Sequence, residues 1–370
     1  MTPEELNEKL LESFKEFQKN VQKPHILLAG PTRVGKSSLI NKIFGEKVAE
    51  EGKGEPITDS VKKYEREDIG VILYDSPGCE IGNIEKFERE VLNIDKPINL
   101  VWYCINAVST VEPNDIESIK KFIEKKEEKG WMISVVFTKC DKSDEERIEN
   151  LKEAIKKDFS DIDIYITSSK AEHKIFKEEL ERLIKDAIKK LPDMLRDAFI
   201  SAQKVNLKEK FKRANIAIAE HVALAFGVGF VPIPVSDALI LVGNQTAMIA
   251  RILYIYDLAS LETMLSGGAG GGIIGQLISA LGKSIVGNIL KLIPGIGMII
   301  GGLINGSVAS FLTTALGEAV NFSCYKLYKE ILKGNKNIKK EMENFANMVK
   351  KFAKAFFKSN KKAEDYEVDD

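Results

Sequence analysis

Only four cysteines occur in 370 residues, Cys79, Cys104, Cys140 and Cys324. They stand far apart, without the CxxC spacing of a zinc site or the density of a disulfide scaffold, which fits a reducing cytosol. An excess of either charge is also lacking. The 54 Lys and Arg against 55 Asp and Glu give a formal net charge of -1, so no global field draws the chain to nucleic acid. An apolar leader is missing too: charges recur throughout residues 2–20, so this end is expected to stay in the cytosol. With 44% hydrophobic and 29% charged residues the composition excludes bulk disorder, and the length leaves room for two or three cored domains.

What is present divides into chemically distinct regions. Thr2, Pro3 and Glu5 form a helix-start signal. Leu6, Leu10, Phe14, Phe17 and Val21 then share one helical face, so residues 1–23 read as an amphipathic helix, packed on the first domain or free as a partner-binding arm. From 24 to 191 short apolar runs alternate with charged amphipathic stretches, the mark of an α/β domain with a mostly parallel sheet covered by helices. Strands are expected at 25–29, 61–65, 69–75, 99–105, 131–138 and 162–167, and the last helix stops before Pro192. Residues 192–333 read as an all-α domain, apolar and glycine-rich. Within 263–325 lie 14 of the 27 glycines, and only Lys283, Lys291 and Glu318 are charged. Residues 334–370 form a basic amphipathic tail with an acidic end.

Gly30-Pro-Thr-Arg-Val-Gly-Lys-Ser37 follows an apolar strand and opens a helical pattern, the context in which GxxxxGK[ST] reads as a phosphate-binding loop. Gly30, Gly35 and the backbone of Arg33, Val34 and Ser38 wrap the phosphates in this reading. Lys36 reaches the β- and γ-phosphates, and the Ser37 hydroxyl binds magnesium. Asp75-Ser-Pro-Gly78 ends a second strand, where Asp75 holds magnesium through water and the Gly78 N–H contacts the γ-phosphate. Thr58 is the only threonine between Ser37 and Asp75, and it fits the remaining magnesium ligand. Thr138-Lys-Cys-Asp141 ends a third strand. The Asp141 carboxylate can accept both N1–H and the exocyclic amine of guanine, a donor pair that adenine lacks. The Lys139 stem can lie along the ring, and Ser168, Ser169 and Lys170 supply a loop to close over the base.

In order, GPTRVGKS, Thr58, DSPG, TKCD and SSK resemble the five G-motifs of translation-factor-class GTPases, especially the Era-like group, over about 24–191. The resemblance implies a six-stranded P-loop G domain, GTP and GDP as ligands, magnesium as cofactor and GTP hydrolysis. Ras-like members place a glutamine after the DxxG glycine, whereas Cys79 stands here, so slow intrinsic hydrolysis is expected. Arg33 occupies the loop position that resembles the internal arginine finger of guanylate-binding proteins, which act when two G domains meet. The plain alternative is that it faces solvent or pairs with an acid.

Residues 208–257, with Phe230-Val-Pro-Ile-Pro-Val-Ser-Asp237, resemble the helical domain of unknown function attached to many bacterial Era-like GTPases. Pro232 and Pro234 break one helix, and Ser236 or Asp237 caps the next, giving a helical hairpin. Asp237 and Gln245 read as a cap and a buried hydrogen-bonding residue. The 26 uncharged residues of 292–317 exceed the roughly 20 that span a bilayer. Glycines four apart, as in Gly297/Gly301, suit close helix packing in lipid or in a soluble hairpin. Phe345, Met348, Val349, Phe352 and Phe356 share a face flanked by lysines, suited to anionic lipid or to covering a core. The whole reads as a cytosolic GTPase switch with a membrane-associating helical domain and no nucleic-acid partner. Left open beside it are a membrane-inserting or scaffold protein locked by guanine nucleotide and a ribosome or RNA assembly GTPase.

Overall fold

The computed structural model describes residues 3–45, 48–49, 61–66, 69–76, 97–168, 172–228, 236–258 and 306–333, together with 345, 347–349 and 351. Two compact units result. One comprises residues 22–206, and the other joins 1–21 to 207–370.

The 22–206 unit is an α/β layer. Its strands are β1 (His25–Ala29), β2 (Lys62–Glu65), β3 (Ile72–Asp75), β4 (Ile98–Asn106), β5 (Met132–Thr138) and β6 (Ile164–Ile166). They form one sheet in the order β2-β3-β1-β4-β5-β6, parallel except for the antiparallel β2/β3 pair. All six expected strands are present. They were legible because central strands of a covered parallel sheet are buried on both faces and so read as unbroken apolar runs: nearly every residue of β4 and β5 is buried. The helices are α2 (Lys36–Phe44), α3 (Pro113–Lys129), α4 (Glu145–Asp158), α5 (Lys174–Lys190) and α6 (Asp193–Ala202), after α1 (Pro3–Asn20) of the other unit. Crossover helices force the C-terminal ends of β1, β3, β4 and β5 to one side, so the three motif-bearing turns converge there.

This unit runs on to Asn206, past the stop before Pro192. Phe199 of α6 meets Phe44 edge to face at 6.2 Å, and the Lys204 N–H donates to the Ile43 carbonyl at 2.8 Å. Pro192 breaks the helix without ending the core.

Helix α1 belongs with the helical unit and not with the α/β unit on which its stripe suggested it packs. Its buried Leu6, Leu10 and Phe14 join a cluster from α7 (Leu207–Val228), α8 (Ser236–Ile255) and α9 (Gly306–Leu332). Phe17 meets Tyr254 edge to face at 5.2 Å. An apolar stripe shows that a helix is covered, not by what. Gly317 lets α9 approach α7 and α8 closely, since a Cβ there would lie 2.7 Å from Ile218 Cγ1. Buried Asn321 orders the packing: Tyr256 Oη donates to its Oδ1 at 2.7 Å, and its Nδ2 donates to Asn215 Oδ1 at 2.6 Å. Pro232 and Pro234, around which a hairpin was predicted, lie outside the described residues; α7 and α8 on either side of them pack together, and Gln245, expected to be buried, is only partly so and donates through Nε2 to Thr313 Oγ1 at 3.3 Å.

Among the described residues no helix is long and apolar enough to cross a membrane. Residues 259–305, which include most of the uncharged 292–317 stretch, lie outside the described residues. Its remainder, 306–317, opens α9, where Leu312, Thr313, Ala315 and Leu316 are buried. Phe345 and Val349 are also buried in the helical cluster, so this part of the tail's apolar face covers protein. Phe352 and Phe356 lie outside the described residues.

Candidate functional site

The loop between β1 and α2 is shaped by what lies beneath it. Gly30 has φ +127°, and a Cβ there would sit 2.1 Å from the Cys104 carbonyl oxygen of β4. Only glycine lets the loop cross the sheet at that height. Arg33 and Gly35 also take positive φ, 62° and 110°, alternations of the kind that turn successive N–H groups towards one anion. Helix α2 starts without a side-chain cap, leaving its first amides for a ligand. Lys36 is buried, and its ammonium donates to the Gly30 and Pro31 carbonyls at 3.0 Å each, which fixes it across the loop. Val34 is buried behind the loop, Ser38 is partly covered, and the Arg33 side chain is exposed.

The turn after β5 holds this loop from behind. Thr138 Oγ1 donates to the Val34 carbonyl, and Lys139 Nζ donates to the Arg33 carbonyl at 2.5 Å. Lys139 itself is left-handed, φ 56°, before the short 3-10 turn Cys140–Lys142. Ser168 Oγ donates to Asp141 Oδ1 at 2.6 Å and so aims the carboxylate. Thr138 and Lys139 thus bond the loop that Lys36 spans, while Asp141 and Ser168 form a separate pair beyond the same turn. Sequence reasoning did not find the support under it. Ala107 N–H donates to the Thr138 carbonyl at 2.9 Å, while Ser143 Oγ and Arg147 Nε both donate to the Ala107 carbonyl, at 2.8 and 2.9 Å. No motif marks Arg147; only its place one turn after the N-cap Asp144 hints at it. Asn41 was missed as well: its side chain donates to the Ala49 carbonyl and accepts from the Ala49 N–H, at 2.9 and 2.8 Å.

Ser37 Oγ donates to Asp75 Oδ2 at 3.0 Å. Asp75 is buried, its Oδ1 has no hydrogen-bond partner among the described residues, and burial, against the opposing Lys36 charge and Ser37 hydroxyl, raises its carboxyl above the ordinary range. A carboxylate held this way is costly alone and fits a cation at its free oxygen. The residues present therefore suit magnesium, with Ser37 and Asp75 as its holders. Thr58, Gly78, Cys79, Ser169 and Lys170, also singled out in the sequence, lie outside the described residues. The described thiols are inert by contrast: burial pushes Cys104 up to about 12 and Cys140 up to about 11.

Residues 25–139 match the family described as 50S ribosome-binding GTPase. A stretch of 185 residues, 48% of this chain and 98% of the relative, is 32% identical to the probable GTP-binding protein EngB of Aquifex aeolicus (strain VF5). Similar solved structures include Aquifex aeolicus Era bound to GDP.AlF4-, with a TM-score of 0.35 and 23% identity over 46% of this chain and 57% of that one. Toc33 from Arabidopsis thaliana in complex with Mg2+ and GMPPNP has a TM-score of 0.35 and 17% identity over 54% of this chain and 94% of that one. The chain therefore spans little more than half of the Era chain.

The raised Asp75 carboxyl makes a signed prediction. Between the ordinary pKa and the raised one the folded protein binds more protons than the unfolded chain, so nucleotide-free stability falls as pH rises through that window. Asp75→Asn removes the buried charge, so it raises the nucleotide-free melting temperature while weakening magnesium-dependent nucleotide binding. Differential scanning calorimetry paired with nucleotide titration, with and without EDTA, reads both; a lowered melting temperature contradicts the assignment.

Proposed function

We propose that this chain, which belongs to the translation-factor class of P-loop GTPases and binds and hydrolyses GTP, is a switch whose nucleotide state alters a membrane-associating helical unit. The observation that carries the nucleotide half is the hydrogen-bonded tie from Thr138 and Lys139 to the phosphate loop, with Asp141 aimed by Ser168 on the same turn. In this reading Asp141 accepts N1–H and the exocyclic amine of guanine, and Ser169 and Lys170 close over the base. Gly30, Val34, Gly35 and Ser38 line the phosphates, and Lys36 binds the β- and γ-oxygens. Ser37, Thr58 and, through water, Asp75 would hold magnesium, which would neutralise phosphate charge. Gly78 senses the γ-phosphate. Water attacks the γ-phosphorus as the bond to the β–γ bridging oxygen breaks, giving GDP and phosphate.

Arg33 is the proposed source of the charge stabilisation that Cys79 cannot supply. Its side chain is exposed while Lys139 fixes its backbone carbonyl, an arrangement suited to reaching a second G domain. The membrane half of the proposal draws on the glycine-rich 263–325 stretch with its three charges. A second reading has its own support. The matched family is described as ribosome-binding, and co-sedimentation with 50S subunits in place of anionic liposomes would favour it.

GTP turnover across a protein concentration series, with and without anionic liposomes, tests these assignments together. Wild-type turnover per molecule is expected to rise with concentration and with lipid. Arg33→Ala should lower the concentrated rate by about 10³-fold or more with nucleotide affinity unchanged. Equal rates for the two proteins remove the finger, and indifference to lipid removes the membrane coupling.

A further inference from the structure

Among the described residues strand β6 ends the sheet and pairs only with β5. The Val135 N–H donates to the Asp163 carbonyl at 2.9 Å and the Thr167 N–H to the Phe137 carbonyl at 2.7 Å, so strand alternation turns the backbone groups of Ile164 and Ile166 outward. Two side chains of α5 occupy those groups. Arg182 Nη2 donates to the Ile164 carbonyl at 2.6 Å, and the Ile166 N–H donates to Glu179 Oε2 at 3.4 Å. Arg182 and Glu179 also bond each other twice at 2.8 Å, and the guanidinium lies 4.2 Å from the Tyr165 ring centroid. This edge is closed to strand addition. Anything docking beside it must be recognised by side chains.

Beside the closed edge runs a groove of about 360 Å³ between α4 and α5. Ile162 and Ile175, the latter 44% exposed, line it over the buried Ile164 and Ile166, and Lys152 and Lys156 stand one turn apart on α4 across from Arg182. Both lining acids are already engaged, Glu179 by Arg182 and Asp163 by Lys190 at 2.6 Å. Lys152 has only a surface pair with Glu149 at 3.1 Å, of a kind worth little in water, and Lys156 has no ion pair among the described residues. The groove therefore presents the Ile162 and Ile175 surface beside a positive rim on which Lys152 has a weak surface partner and Lys156 no ion pair among the described residues.

We propose that this groove docks an acidic–aliphatic peptide segment of a partner protein, its aliphatic side chain on the isoleucines and its carboxylate on Lys152 and Lys156. Apolar contact supplies affinity, and the charge-assisted pair sets orientation and excludes basic segments. The test is fluorescence anisotropy of a labelled hexapeptide alternating glutamate and isoleucine, titrated with the full chain beside a lysine–isoleucine counterpart. The acidic peptide is expected to bind and the basic one not. The double variant Lys152→Glu, Lys156→Glu should weaken the acidic peptide at least about tenfold, roughly 1.4 kcal/mol, and transfer binding to the basic peptide, which misfolding cannot do. Arg182→Ala, which leaves the lining Glu179 carboxylate unanswered, should weaken the acidic peptide. Equal binding of both peptides, or acidic binding that survives the charge swap, overturns the proposal. Tightening by Arg182→Ala would show strand addition instead and overturn side-chain recognition. Competition by self-association in sedimentation would make the occupant a second copy and overturn the partner assignment.

Discussion

The nucleotide site depends on one tie: the Thr138 hydroxyl and the Lys139 ammonium, side by side on the turn after β5, bond the carbonyls of Val34 and Arg33 in the phosphate loop. A glycine-containing loop with several left-handed residues is entropically expensive to order. Here its shape is enforced from below by the Cys104 carbonyl, which admits no Cβ at Gly30, and from behind by that tie. The phosphate loop and the turn that carries Asp141 are thereby tied to each other by hydrogen bonds. In the proposed reading this couples base identity to phosphate geometry, the condition for selecting a nucleotide by its base while doing chemistry at its far end.

The same logic separates stability from function at Asp75. Its buried carboxylate, one oxygen held by Ser37 and the other without a partner among the described residues, is unfavourable in the isolated protein. Strain of this kind persists where a ligand relieves it. Lys36 shows the opposite solution: its charge is satisfied by two loop carbonyls at 3.0 Å and is held in place before any ligand arrives.

Much of this was legible in the sequence because the determinants are local. Strands buried on both faces read as apolar runs, and the motifs occur at strand ends, so the turns after β1, β3 and β5 were expected on one side of the sheet, where the topology puts them. What could not be read depends on partners distant in sequence. The stripe of α1 fits any apolar surface and is taken by helices more than 200 residues away. The Pro192 stop resembled a domain end, yet Phe199 completes the α/β core against Phe44. Arg147 carries no motif, since its work is done through backbone carbonyls, which any residue type can offer. The helical half was read from composition, which cannot distinguish an apolar face that meets lipid from one that meets protein; Phe345 and Val349 proved to be the latter.

The described helices of the helical unit pack around a buried core, with Asn321 fixing helix register and Gly317 setting the closest approach. Its link to the nucleotide state stands as a proposal, whereas selection of guanine is the claim on which every later step rests. Isothermal titration calorimetry of the full chain with GDP and with ADP, in magnesium, tests that claim most directly. The account predicts GDP binding at least about 10⁴-fold tighter than ADP, and transfer of the preference to xanthosine diphosphate in Asp141→Asn, where the amide matches the altered base edge. Comparable heats and affinities for ADP and GDP in the wild-type protein would contradict it.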